Sequence, residues 1–161
     1  MITSLLFLFL VQAFPEGSLP DSRITPGDVL TTDSAVVCVK GYARKVRDNK
    51  ALNSVSSSTK NRIYKIYARK GVSGICCEVD HLIPLELGGS NSDKNLWPQP
   101  YDIQWNAHLK DKLENKLHRL VCAGTIDIVD AQLSLRTNWI LAYSKYIVFK
   151  DYSRELTILS H

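Results

Sequence analysis

Residues 78–98 read EVDHLIPLELGGSNSDKNLWP, and this stretch predicts the centre of the fold. Residues 75–83 predict a strand, and the pair Gly88-Gly89 predicts the turn that follows it. Residues 95–97 predict a second short strand, which the next two prolines are expected to end. From about residue 105 to 121 the apolar residues recur at helical spacing, so the predicted order is strand, turn, strand and helix.

Side chains that can do chemistry gather in this unit. Asp80 and His81 are neighbours near the end of the first predicted strand, so their side chains point to opposite faces. Asn95 follows the turn, and Asn106 and His108 stand at the start of the predicted helix. An acid, an imidazole and one or two amides that meet on such a unit can hold a hard divalent cation and activate a water molecule.

The same stretch resembles the HNH endonucleases, whose ββα metal finger is also called the His-Me finger. The shared skeleton is Asp-His, a hydrophobic pair, Pro, Gly-Gly and Asn-Leu. The resemblance is strong over residues 78–97 and moderate as far as residue 116, while residues 25–27 and 38–47 resemble the leader of secreted bacterial proteins that contain this finger. It implies an α+β fold, in which helices flank a ββα metal finger within one small domain.

The resemblance also implies a role for each matching residue. His81 matches the general base, which takes a proton from water for attack on a phosphodiester, and Asp80 matches a direct metal ligand. Asn95 matches the residue that fixes the loop and holds the histidine ring in a productive tautomer. The helix position matches either Asn106 or His108, and Asn106 is favoured because it lies at the first turn. The implied cofactor is Mg²⁺, or another divalent ion such as Mn²⁺.

Basic residues concentrate in the segment that precedes the unit. Residues 40–70 contain ten Lys and Arg residues and one acid, so the segment carries +9 while the whole chain carries +4. Such a segment is typical of a solvated surface, but it also fits a polyanion such as the phosphate backbone of DNA or RNA. The candidate phosphate contacts are Arg44, Lys45, Arg47, Lys60, Arg62, Lys65 and Arg69.

The N-terminus has the pattern of an export signal. Residues 4–11 are almost entirely apolar, and Val11-Gln12-Ala13 has the small-residue pattern of a cleavage site. We therefore expect residues 1–13 to be a signal peptide and the mature chain to be secreted or periplasmic, without a membrane anchor. The oligomeric state is not indicated by the sequence.

Export would place the four cysteines in an oxidising compartment, where an even number favours two disulfides. Cys76 and Cys77 are adjacent in sequence and are not expected to pair with each other. Each is therefore expected to pair with Cys38 or Cys122, in an order that the sequence leaves open. A zinc site is a weaker alternative because the chain contains no CxxC motif.

The length of 161 residues allows one domain with one core. We expect a basic helical region over residues 14–74, the finger over residues 75–121, and a helix and tail over residues 122–161. Helices are also predicted over about residues 60–70 and from Asp127 to about residue 146.

The predicted function is a metal-dependent endonuclease that hydrolyses phosphodiester bonds of nucleic acid. The alternative is a secreted, non-catalytic binding module, stapled by disulfides, with a degenerate finger. Such a module would still bind its partner in EDTA and after His81→Ala.

Overall fold

The computed structural model describes residues 14–68 and 76–149, which form a small α+β fold. Its regular elements, in chain order, are α1 Ser34–Val37, α2 Tyr42–Asp48, α3 Ser57–Ala68, β1 Cys77–His81, β2 Leu96–Pro100, α4 Ala107–Cys122 and α5 Ile128–Tyr143. The α+β class predicted from the sequence is confirmed. The signal peptide expected over residues 1–13, Arg69 and the tail over residues 150–161 lie outside the described residues. Within the described ranges, every helix is too short or too polar to cross a membrane.

The two strands pair in antiparallel fashion, and β2 is longer than predicted. The expectation that Pro98 and Pro100 end this strand was wrong, because both lie within its ladder. Leu82 N donates to Asn95 O at 2.8 Å, so the backbone of Asn95 faces β1. Backbone groups alternate sides along a strand, and the two prolines therefore have their nitrogens on the side away from β1. Neither proline costs the sheet a hydrogen bond.

The turn between the strands needs both of its glycines. A Cβ atom on Gly89 would lie 1.8 Å from Ile83 O, so a larger residue does not fit against this part of the backbone. Gly88 has φ 82°, in the left-handed region that favours glycine, and a Cβ atom there would lie 2.4 Å from Thr31 O. The glycine pair thus allows two backbone segments to pack at close range beside β1.

The side chain of Asn95 holds this turn together from inside. Asn95 is fully buried. Its Nδ2 donates to Ile83 O at 2.8 Å and to Ser90 O at 2.9 Å, and its Oδ1 accepts from Ile83 N at 2.9 Å. The amide therefore replaces backbone pairing where the chain leaves β1, which fixes the residues directly after His81.

Two apolar clusters support the sheet and the long helices. The larger one joins α4 to α5 and includes Leu113, Leu117, Leu135 and Trp139. The smaller one joins α3 to the sheet and consists of Ile63, Tyr67, Leu82, Leu96 and Trp97. The sheet and its turn are consequently held between α3 on one side and the α4–α5 pair on the other.

The helix predicted after Asp127 begins as expected but is not continuous. Asp127 caps α5 by accepting from Val129 N at 2.7 Å. Asn138 interrupts the helical path with an extended backbone at φ −167°. Its Oδ1 accepts from Ile140 N at 3.0 Å, as the cap of a new helical segment would. The chain then continues as a π-helical turn over Ser144–Val148.

The disulfide pairing differs from the expectation. Cys38 at the end of α1 pairs with Cys122 at the end of α4, and their Cα atoms are 5.6 Å apart. Cys76 pairs with its neighbour Cys77, so the prediction that each of them reaches a distant cysteine was wrong. The reason is topological: α1 packs against α4, which brings Cys38 and Cys122 together, and Cys76 and Cys77 stay side by side where β1 begins.

We expect Gly89→Ala to destabilise the chain far more than Gly41→Ala. The first change forces a methyl group into the Ile83 carbonyl, which should lower the free energy of unfolding by about 3 kcal/mol or more. Gly41 has φ 81° but no heavy atom within 4 Å of the added Cβ. Its substitution should therefore cost only about 1 kcal/mol of left-handed strain. Urea unfolding of both variants measures the difference, and equal midpoints would contradict the close contact at Gly89.

Candidate functional site

Asp80 and His81, at the end of β1, line two adjoining clefts. The first, of about 170 Å³, also takes side chains from Glu86, Asp111 and Glu114, and we call it the acidic cleft. The second, of about 590 Å³, also takes side chains from the cations Arg47, Lys50 and Lys60, after which we call it the basic cleft, and from the acids Asp48 and Glu78. Arg47 lines both clefts. The end of β1 thus stands between a cleft lined mainly by carboxylates and a cleft in which, with Asp80, cations and carboxylates are equal in number.

The ring of His81 is held by Asn91. Asn91 Oδ1 lies 2.9 Å from His81 Nε2. Asn91 Nδ2 donates to Val46 O at 3.3 Å and to Leu52 O at 3.2 Å, which fixes the orientation of the amide. Since the amide oxygen accepts only, Nε2 carries the proton and the lone pair of the neutral ring is on Nδ1. The network selects one tautomer of His81.

Burial keeps His81 uncharged. The loss of hydration lowers the pKa of His81 below its ordinary value, against smaller opposing effects of Asp80 and Asn91. The ring is therefore neutral near pH 7 and able to accept a proton. Asn95, which the resemblance assigns to holding this ring, instead directs its amide to Ile83 and Ser90, and Asn91 supplies the contact to the imidazole.

Lys110 lies at the contact between α4 and the end of β1, although a lysine among charged neighbours on an amphipathic helix is expected to face solvent. Its side chain is fully buried. Its Nζ donates to Asp80 Oδ2 at 2.7 Å, to His81 O at 2.6 Å and to Glu114 Oε1. Burial alone would lower the pKa of Lys110, but Asp80 and Glu114 raise it above the ordinary lysine value. The ammonium therefore stays charged and ties α4 to the end of β1.

The acidic cleft has the donor set of a hard cation. Burial raises the pKa of Glu86, Asp111 and Glu114 above the ordinary carboxyl values. Glu86 Oε1 is buried without a hydrogen-bond partner among the described residues. Carboxylate oxygens are the ligands that Mg²⁺ and Mn²⁺ prefer, and the unpartnered oxygen of Glu86 would gain such a partner. The chemistry of these residues therefore suits a divalent ion, but within the described residues no three of them have carboxylate oxygens that lie within 4.8 Å of one another, so an ion would have to draw them closer.

The two helix residues considered as ligands lie elsewhere. Asn106 is the N-cap of α4, and its Oδ1 accepts from Leu109 N at 3.2 Å. The ring of His108 packs against Tyr101, with 5.6 Å between the ring centroids. Neither residue lines the acidic or the basic cleft. The helix presents Asp111 and Glu114 to the acidic cleft in their place.

The candidate phosphate contacts divide into three groups. Arg47 and Lys60 line the basic cleft, where Lys50 joins them. Arg62 forms a two-bond ion pair with Asp93, in which Nε donates to Oδ2 at 2.6 Å and Nη2 donates to Oδ1 at 2.7 Å. The charge of Arg62 is therefore largely balanced. The remaining described candidates are exposed and line neither cleft: Arg44, Lys45 and Lys65.

A separate group of metal-ligating side chains lies at the far end of α4. The ligand atoms of Cys38, His118 and Cys122 lie within 4.8 Å of one another. The two sulfurs are joined in a disulfide, and a disulfide has no thiolate to offer a metal. Under oxidising conditions this group is therefore a covalent tie between α1 and α4.

Comparisons with protein-family models, with curated proteins and with solved structures find no match to this chain. Its function is therefore inferred from the side chains and their geometry. The features that carry chemical information are the fixed tautomer of His81, the group of carboxylates beside it and the cations of the basic cleft.

We expect Lys110→Met to destabilise the chain by about 2–3 kcal/mol, somewhat less than the loss of one partner from a fully buried pair, because it leaves two partly buried carboxylates without their cation. Lys112→Met is the matched control, since Lys112 is exposed on the same helix. Chemical denaturation of both variants measures the effect. Similar stability of the two variants would show that Lys110 does not hold α4 to β1.

Proposed function

We propose that this chain is a metal-dependent nuclease of the HNH type, which hydrolyses phosphodiester bonds of DNA or RNA. The observation that carries the proposal is the position of His81 between the two clefts. A neutral imidazole of fixed tautomer adjoins a group of carboxylates on one side and the cations Arg47, Lys50 and Lys60 on the other. These are the parts that hydrolysis of a phosphodiester needs: a base, a cation site and a means to hold phosphate.

In this proposal His81 is the general base. The Nδ1 lone pair accepts a proton from a water molecule as that water attacks phosphorus. Asn91 keeps the opposite nitrogen protonated, so the lone pair stays on Nδ1, and burial keeps the ring uncharged before the proton arrives. The imidazolium that forms is stabilised by Asp80, whose charge favours the protonated ring.

The residues that would hold the divalent ion, Mg²⁺ or Mn²⁺, are Asp80, Glu86, Asp111 and Glu114. When bound, such an ion stabilises the negative charge that develops on the phosphate and the leaving oxygen. The four carboxylates outnumber the neighbouring cations Lys110 and Arg47, so the cleft retains an excess of negative charge when its acids are ionised.

The order of β1, β2 and α4 supports the finer proposal that they form a ββα metal finger. The strands pair in antiparallel fashion, and Lys110 fastens α4 to the end of β1 beside Asp80 and His81. Within residues 78–98, the positions that resemble the HNH skeleton are therefore the ones that shape the turn and the clefts.

The basic cleft would bind the phosphate backbone rather than the bases. Its cations Arg47, Lys50 and Lys60 are side chains that contact phosphate in many nucleic-acid complexes without reading sequence. The two disulfides favour an oxidising compartment, so the proposed location is periplasmic or extracellular.

One observation favours the alternative of a non-catalytic binding module. The ammonium of Lys110 already neutralises part of the charge on Asp80 and Glu114, so the cleft has a cation of its own. In a degenerate finger such a lysine would replace the metal as the counter-ion, and the clefts would serve binding only.

We expect the purified full chain to nick plasmid DNA with Mg²⁺ or Mn²⁺, and EDTA to abolish the nicking. His81→Ala should lower the rate by about 10²–10⁴-fold, because it removes the general base. His108→Ala is the matched control, since its ring packs against Tyr101 outside the clefts, and it should keep most of the activity. Conversion of supercoiled to relaxed plasmid measures all three rates.

Two results would contradict the proposal. The first is the absence of nicking with every divalent ion for both DNA and RNA substrates, which leaves the binding module. The second is nicking that His81→Ala does not change, which indicates a contaminating nuclease or another catalytic centre.

Binding should depend on cations of the basic cleft. With EDTA present to prevent cleavage, we expect Lys60→Ala to reduce the slope of log affinity against log salt concentration by about 1. Arg62→Ala is the matched control on the same helix, and its effect should be smaller because Asp93 already balances its charge. Fluorescence anisotropy at several salt concentrations gives both slopes, and equal slopes for the two variants would exclude the basic cleft as the binding site.

A further inference from the structure

The cysteine–histidine group at the far end of α4 has no part in the proposed nuclease chemistry. We infer that Cys38, His118 and Cys122 bind a zinc ion when the disulfide between the two cysteines is reduced. The group would then be a redox-gated metal site, with a covalent form and a metal-bound form. Its ligands are separate from the residues that line the acidic and basic clefts.

The geometry of two of the three side chains is close to what zinc needs, and the third is adjacent. Bonds of about 2.3 Å to sulfur and about 2.0 Å to nitrogen place the ligand atoms of a tetrahedral zinc ion roughly 3.5–3.8 Å apart. The ligand atoms of Cys38, His118 and Cys122 all lie within 4.8 Å of one another. His118 Nε2 and Cys122 Sγ, one turn apart on α4, are 3.4 Å apart. The helix therefore supplies two ligands at nearly the required spacing.

The third ligand needs only a local change. The Cα atoms of Cys38 and Cys122 are 5.6 Å apart, so rotation of the side chains can separate the sulfurs once the bond is broken. His118 Nε2 also lies 3.4 Å from Val37 O and would exchange this contact for the metal. Three protein ligands leave the fourth position to a water molecule.

The reduction step balances with a thiol as reductant. Two small thiol molecules transfer two electrons and two protons to the disulfide, which leaves two cysteine thiols and one small-molecule disulfide. Zinc then displaces both thiol protons and binds two thiolates and one neutral imidazole. Cys122 is exposed, so the reductant can reach the bond.

Replacement of the disulfide by a zinc ion would preserve the contact between α1 and α4. Zn²⁺ with two thiolates and a neutral imidazole has no net charge, so its binding would keep His118 from carrying a positive charge. Burial raises the pKa of Glu86, and the charge of His118 opposes that effect. The zinc site and the acidic cleft would therefore be coupled through His118 and Glu86.

The test uses the full chain with Cys76→Ser and Cys77→Ser, so that Cys38 and Cys122 are its only cysteines. After reduction with a phosphine, Co²⁺ is added in place of zinc, and the sulfur-to-cobalt charge-transfer absorption is recorded. We expect one equivalent of Co²⁺ to bind, Zn²⁺ to displace it, and the oxidised chain to show no such absorption. A further His118→Ala change should weaken binding at least about 10-fold, and His108→Ala should not.

No sulfur-to-cobalt absorption in the reduced chain would overturn the inference. Absorption that His118→Ala leaves unchanged would also overturn it, because the two sulfurs would then bind without the histidine. If reduction unfolds the chain, the helical signal in circular dichroism is lost, and Zn²⁺ is then added to the reduced chain. Recovery of the helical signal on addition of Zn²⁺ then supports the site, and failure to recover overturns it.

Discussion

A buried ammonium group organises this protein. A charged lysine inside a protein costs several kcal/mol unless it is paired, and Lys110 meets that cost with two carboxylates and one carbonyl. Those partners belong to β1 and to α4 itself, so the requirement to pair the charge fixes where the helix crosses the end of the strand. The position of Asp80, the path of the backbone at His81 and the location of the acidic cleft all follow from this one constraint.

The same constraint sets how a divalent ion would be held. The ammonium occupies one oxygen of Asp80 and one of Glu114, so a metal would share these acids with Lys110 instead of replacing it. Glu86, with its unpartnered oxygen, and Asp111 are not among the hydrogen-bond partners of Lys110. A built-in cation also lets the cleft keep its shape without metal, because the ammonium already bridges Asp80 and Glu114.

Local patterns in the sequence predicted the strand–turn–strand–helix order because its determinants are local. The glycine pair and Asn95 shape the backbone between the two strands, and their residue types are typical of a tight turn. The burial of Lys110 was missed because a lysine among charged neighbours usually faces solvent. Its spacing held a signal, since Lys110 is three and seven residues before the buried Leu113 and Leu117. The role of Asn91 depends on contacts with Val46 and Leu52, which are distant in sequence, and it carried no comparable pattern. The pairing of Cys76 with Cys77 is local, but adjacent cysteines are not expected to bond to each other.

The prolines of β2 have a consequence for how the edge of the sheet is protected. An uncovered strand edge can pair with a strand of another molecule, and a sheet of two strands has two such edges. On the outer side of β2 the amide hydrogens are missing at Pro98 and Pro100. All five residues of β2 are buried, and Thr25 Oγ1 donates to Leu96 O at 2.9 Å, so the chain itself covers this side. The missing donors and the covering segment together keep foreign strands from β2, and both leave the internal ladder intact.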